Sequence, residues 1–276
     1  MDKNPRRSTE RAAKNKPRTG KESSPSRKGI NVALQGGGSH GAFTWGVLDR
    51  LLEEDRIFID GISGTSAGAM NAVVVADGLM KGGKKGARQA LHDFWHAVSE
   101  AARFSPIRRT PFDVITGNWN LDQSPSYLMF DMLERLASPY QLNPLNMNPL
   151  RDLLVEQVNF ERVRSCNQVK LFVCATNVRS GRVKVFERPE ITADMVMASA
   201  CLPFMYQAVE IDGEAYWDGG FMGNPVLFPF AYKCMCKDVV IVQINPMRRD
   251  EIPKTAQEIL NRANEITFNG GLMKEL

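Results

Sequence analysis

Twice within the first eighty residues an apolar run ends in glycines and gives way to a helical pattern. "INVALQ" (30–35) leads into "GGGSHG" (36–41) and then "GAFTWGVLDRLLEE" (41–54). "RIFIDGI" (56–62) leads through a second glycine-flanked turn into "SAGAMNAVVVADGLM" (66–80). A strand that passes through a tight turn into a helix returns to lay its next strand parallel, with a right-handed crossover. This start predicts an α/β fold with a mainly parallel central sheet. Along the first helix, Phe43, Val47, Leu48, Leu51 and Leu52 share one face, expected to be the buried one.

The later chain continues the alternation with hairpins added. "GARQALHDFWHAVSEA" (86–101) reads as a helix, and residues 104–150 are irregular and rich in proline and aromatics. "VKLFVCATNV" (169–178) and "RVKVFE" (182–187) read as strands joined by a tight turn. "ITADMVMASACL" (191–202) is helical and Pro203 ends it; "AVEIDGEAYWDGG" (208–220) is a hairpin around Asp212-Gly213. "DVVIVQINP" (238–246) is a last strand. The closing helical pattern has no stop signal at Leu276, as in a chain that continues.

Charge is unevenly placed. The chain is +4 overall, but residues 1–28 hold ten Lys or Arg and three acids, so this tail carries +7 and the rest −3. An acidic-leaning body argues against a nucleic-acid-binding domain. The tail has too few apolar residues to fold and reads as disordered. It is either a solvated leader or an electrostatic contact with anionic lipid or nucleic acid. No apolar run approaches the ~20 residues of a membrane span. Five cysteines, an odd number with no zinc spacing, suit a reducing, cytoplasmic setting.

Two glycine turns carry the chemistry. Gly36, Gly38 and Gly41 fit a dinucleotide fingerprint, with Asp60 where a ribose-binding acid would stand. The same loop fits an oxyanion hole, because consecutive glycines offer backbone N–H groups unobstructed by side chains. Gly64-Thr65-Ser66-Ala67-Gly68 is G-x-S-x-G between a predicted strand and a predicted helix, the context of a nucleophile elbow. A serine needs a base. The three histidines, His40, His92 and His96, all lie early, and none follows the serine in the position a hydrolase triad uses. His92 and His96 have a spacing able to hold zinc, but no third ligand is evident, so packing or surface is the expected role. Asp218, in "YWDGG", is the remaining candidate base, with Gly219 and Gly220 leaving room beside it.

These pieces, in this order, resemble the patatin-like phospholipase family. Its pattern is a Gly-Gly-Gly-x-Arg/Lys-Gly loop, a G-x-S-x-G elbow and a later Asp-Gly-Gly/Ala. The resemblance runs from about Asn31 to Pro246 and includes "GTSAGAMNA", "ASACLPF" and "DGGFMGNP". It implies a three-layer α/β/α sandwich and hydrolysis of lipid acyl esters. It also implies Ser66 as nucleophile, Asp218 as proton acceptor and the N–H groups of Gly36, Gly37 and Gly38 as oxyanion donors, with Gly41, Gly64, Gly68, Gly219 and Gly220 completing the motifs. His40 stands where the family usually has Arg or Lys. The implied partner is a lipid or phospholipid, with no cofactor and no metal. The division that follows is a basic tail (1–28) and a hydrolase domain (29–276). Residues 104–150 are either ordinary core and loop or an apolar cap over an acyl groove. Two rivals stand beside it: a nucleotide-binding oxidoreductase and a catalytically silent lipid-binding protein.

Overall fold

The computed structural model describes residues 27–103 and 137–276. Most of the tail and residues 104–136 of the expected cap lie outside the described residues. Strand β1 (Lys28–Leu34) starts one residue inside the segment read as tail. It is followed by a single 3-10 turn (Gly38–His40), helix α1 (Gly41–Glu53) and strand β2 (Ile57–Gly64). The two helices expected at 66–80 and 86–101 run as one, α2 (Ala67–Ala102), kinked at Gly82 and Gly83. Neither glycine is helical, and Gly83 sits at φ 59, so the break follows from a glycine pair.

Among the described residues, three short helices come next: α3 (Pro139–Leu142), α4 (Pro149–Gln157) and α5 (Phe160–Ser165). Then come β3 (Lys170–Asn177), β4 (Val183–Glu187) and α6 (Ala193–Ser199). Helix α6 stops at Ala200, before Pro203. Strands β5 (Val209–Ile211) and β6 (Glu214–Asp218) form the expected hairpin; Asp212 and Gly213 both have positive φ, as an Asp-Gly two-residue turn requires. Helix α7 (Phe228–Lys233), strand β7 (Val239–Val242) and helix α8 (Ala256–Glu275) complete the chain.

Among the described residues, seven strands form one sheet in the order β5-β6-β3-β2-β1-β7, with β4 added on β3. β7, β1, β2 and β3 are parallel; β4 and β6 pair antiparallel with β3, and β5 pairs antiparallel with β6. β4 occupies one edge of β3 from Phe172 to Thr176. β2 and β6 therefore share the other edge: β2 pairs up to Val173, and β6 pairs from Ala175 onward. β6 thus lies in line with the end of β2, which brings Asp218 toward the turn after Gly64.

Side chains alternate between two cores, as strand pleating requires. Val32, Leu34, Ile62, Leu171 and Val173 pack with α1, α2 and residues of α4 to α6. Ala33, Phe172 and Ile241 pack on the opposite face with Phe230 of α7. Helices on both faces of the sheet make a three-layer α/β/α sandwich. Every residue of α2 from Ala67 to Leu79 is buried, which its small side chains permit. The expected face of α1 points inward except at its start: Leu48 and Leu52 are buried and Val47 and Leu51 pack against the core, while Phe43 is 60% exposed and Gly41 and Thr44 are buried. No described helix is long and apolar enough to cross a membrane.

Candidate active site

Both glycine turns leave the C-terminal ends of adjacent central strands, where open α/β sheets present ligand sites. Leu34 pairs with Gly64, so the two turns start level with one another. Thr65 N–H donates to Leu34 O at 3.2 Å, which ties the second turn to the first. Ser66 follows at φ 54, ψ −122, a conformation that costs a non-glycine residue about 1–3 kcal/mol. Its neighbours explain how the turn closes. A Cβ on Gly64 would lie 2.5 Å from Gly68 O, and one on Gly68 would lie 2.3 Å from Leu34 O. Only glycine fits at either position. Ser66 is the one residue from Gly61 to Met70 that is not fully buried, and it caps the N-terminus of α2, where the helix dipole is positive.

Asp218 ends β6 and is 1% exposed. Its N–H donates to Cys201 O at 2.8 Å, and its own carbonyl accepts from Thr176 Oγ1 at 2.9 Å, so the backbone is held from two sides. Gly220 N–H donates to Asp218 Oδ1 at 2.7 Å. Burial raises the carboxyl to a pKa of about 7, against the opposing pull of the Gly220 N–H and of the Ser66 hydroxyl that approaches it. Gly219 is packed on Cys174 O, where a Cβ would come within 2.2 Å. The fold therefore brings Ser66 and Asp218 together from 152 residues apart in sequence.

The first loop departs from expectation at one residue. Gly36 N–H donates to Asn224 Oδ1 at 2.7 Å, so it is already engaged. The N–H groups of Gly37 and Gly38, and of Ala67 after the serine, have no protein partner among the described residues. Gly38 has φ 57, which turns the loop toward α1. His40 is exposed on this loop, with Nδ1 3.1 Å from Gly37 O.

Several residues that sequence reading passed over hold the site together. Asn224 fixes Gly36, and Thr65 Oγ1 donates to the neighbouring Gly223 O at 2.7 Å. Ser199 Oγ accepts the Ser66 N–H at 2.9 Å. Asn71 donates to Gly41 O at 3.1 Å and to Ala67 O, and accepts from Trp95 Nε1 at 2.9 Å. Asn71, Ser199 and Asn224 fall inside the motifs quoted above; polar residues among small and apolar ones were the available signal.

Asp60 corrects the dinucleotide reading. It sits four residues before Gly64, about 13 Å down the strand at ~3.3 Å per residue. There it pairs with Lys170 at 2.9 Å and accepts N–H groups from Met235 and Cys236. An acid buried in that pairing cannot meet a ribose held at the glycine loop. His92 and His96 lie in the second half of α2, stacked on each other at 6.1 Å, with Trp45 and Asp93 beside His92. A cavity of about 640 Å³ opens next to the Asp218 turn, lined by Pro203, Phe204, Trp217, Phe221, Thr176 and Val178 among others. Neither Ser66 nor Asp218 lines it.

No curated protein matches the chain. Among solved structures, VipD from Legionella pneumophila is 18% identical with a TM-score of 0.43, covering 79% of this chain and 50% of that one. The type III effector protein ExoU is 16% identical with a TM-score of 0.34, covering 91% of this chain and 53% of that one. The heterodimeric ExoU–SpcU complex from the Pseudomonas aeruginosa type III secretion system gives 13%, 0.32, 91% and 52%. The chain spans about half the length of the structures it matches. The family model of patatin-like phospholipases matches residues 32–231, which include the glycine loop, the serine turn and the aspartate turn. The chain belongs to the patatin-like phospholipase family.

Proposed function

We propose that the protein is a serine hydrolase of lipid acyl esters, with Ser66 as nucleophile and Asp218 as its base. The observation that carries this reading is a strained, half-buried Ser66 beside a fully buried Asp218. A free aspartate, with a pKa about 3.9, is a weak acceptor for a hydroxyl proton. At about 7, Asp218 is both ionised near neutral pH and basic enough to act.

In the proposed cycle, Ser66 Oγ attacks the ester carbonyl as its proton passes to Asp218. The tetrahedral oxyanion is met by the N–H groups of Gly37, Gly38 and Ala67, and by the positive end of α2. Collapse breaks the ester bond, and Asp218 returns the proton to the leaving alkoxide. Water then attacks the acyl-serine, giving its proton to Asp218, and the fatty acid leaves as Ser66 is reprotonated. The engagement of Gly36 by Asn224 holds the loop so that the next two N–H groups remain open. An apolar cavity beside the aspartate turn suits the hydrocarbon part of a lipid.

A fluorophosphonate tests the assignment, because only an activated serine reacts with it. One adduct is expected, on the tryptic peptide Ile57–Lys81, at Ser66. Labelling should fall by about 10²-fold or more in a folded Asp218→Asn variant. An adduct on another serine, or none with folded protein, would overturn the assignment.

A further inference from the structure

Helix α8 lies beyond the family-matched residues 32–231, yet two adjacent side chains of it reach both halves of the candidate site. Asn269 Oδ1 accepts from Gln35 Nε2 at 2.8 Å, in a contact where Gln35 is fully buried and Asn269 is 4% exposed. Gln35 is the residue immediately before the three glycines. Its Oε1 accepts the N–H groups of Ile244 and Asn245, both at 2.8 Å, and Asn245 Nδ2 donates to Gly36 O at 3.3 Å. Asn269 Nδ2 in turn donates to Pro246 O at 3.1 Å. One buried amide network therefore joins α8, the segment after β7 and the glycine loop.

The preceding residue reaches the other half. The Phe268 ring lies so close over Gly220 that a Cβ there would sit 2.2 Å from it, and its centroid is 5.2 Å from that of Phe221. Gly220 is the residue whose N–H donates to Asp218. Gly271, one turn on, lets the helix backbone settle onto Met222 O.

We propose that Phe268 and Asn269 are positioning residues: Asn269 sets the glycine loop through Gln35, and Phe268 shields the Asp218 turn from water. The proposal rests on the reading of Ser66 and Asp218 as nucleophile and base. Neither residue touches the reacting atoms. Asn269 acts by fixing where the Gly37 and Gly38 N–H groups point. Phe268 acts by keeping the carboxylate dry, which is what makes it a competent base.

The test uses the full 276-residue chain, a soluble short-chain ester and fluorophosphonate titration, so that rates are expressed per competent Ser66. Asn269→Ala is expected to lower kcat per titrated site by about 10- to 100-fold, with KM changed less than about threefold. Gln35→Ala should cost at least as much, and the double variant no more than Gln35→Ala alone, because one network is broken once. Phe268→Ala should move the acidic limb of the pH profile of kcat/KM to lower pH by about one unit, as water reaches Asp218, and Phe268→Leu should restore it. Ile259→Ala, on the exposed part of α8, should change none of these. Parent rates per titrated site in Asn269→Ala with an unmoved limb in Phe268→Ala would overturn the proposal. So would losses that appear only as fewer titratable sites. A parent chain that is folded but unlabelled at Ser66 would overturn the underlying dyad reading instead, and this proposal with it.

Discussion

Burial of Asp218 bears on stability and, in the role proposed for it, on activity. Its carboxyl is raised from the ordinary 3.8 to about 7, chiefly by burial. The native chain therefore holds a proton between about pH 4 and pH 7 that the unfolded chain has released. Stability from this group is present in full below about pH 4 and is lost as pH rises to about 7. Activity runs the opposite way, since a base must be ionised, and kcat/KM should rise through a midpoint near pH 7. Asp218→Asn removes the buried charge while its side-chain oxygen can still accept from Gly220 N–H. We expect this variant to be inactive but more stable than the parent at pH 8, by on the order of 4 kcal/mol, with no difference at pH 4. Urea melts at pH 4, 6 and 8 would check it, and a difference that did not grow with pH would count against the assignment. Ser66 and Asp218 themselves were legible in sequence because short motifs mark them. Asn224 and Ser199 were not, because each acts by a hydrogen bond to a residue more than 130 positions away.

Elements here meet closely at some glycines and not at others, and two glycines make opposite predictions. Gly68, in the first turn of α2, abuts Leu34 O at the end of β1, so Gly68→Ala must push helix from strand. It is expected to destabilise by about 1–3 kcal/mol, the range for overpacking, and to lower fluorophosphonate labelling as Ser66 shifts. Gly46, within α1, has nothing within 4 Å of a Cβ position, so Gly46→Ala should stabilise by about 0.5–1 kcal/mol through helix propensity. Denaturant melts of the two variants would check the contrast; equal effects would contradict the packing described. Strands, hairpins and most helices were readable from periodicity and turn residues, because these are local preferences. The start of α1 was the exception. Periodicity finds an apolar stripe, but which of its residues are covered depends on the neighbour, and here Thr44 is buried while Phe43 is left in solvent.

For the whole molecule, the uneven charge is the feature that bears on where it acts. We propose that a +7 tail on a −3 remainder draws the protein to an anionic surface. Each basic residue near such a surface contributes up to about 1 kcal/mol, screened by salt. Deleting residues 1–26 should weaken binding to anionic vesicles at low salt and leave hydrolysis of a soluble ester unchanged. Equal vesicle binding with and without the tail would leave it only a solvated leader. The sequence by itself determined the fold class, and it marked the two glycine turns and the serine and aspartate proposed here as the site, because short contiguous motifs carry them. Tertiary structure decided the rest. It spent the Gly36 N–H on Asn224, placed Asp60 in an ion pair far down the sheet, and joined Gln35 to Asn269 across 234 residues. It also buried Asp218, which raises its carboxyl to about 7. Hydrogen bonds between distant segments, and the exclusion of water from one side chain, depend on what packs beside a residue, and no local stretch of chain encodes that.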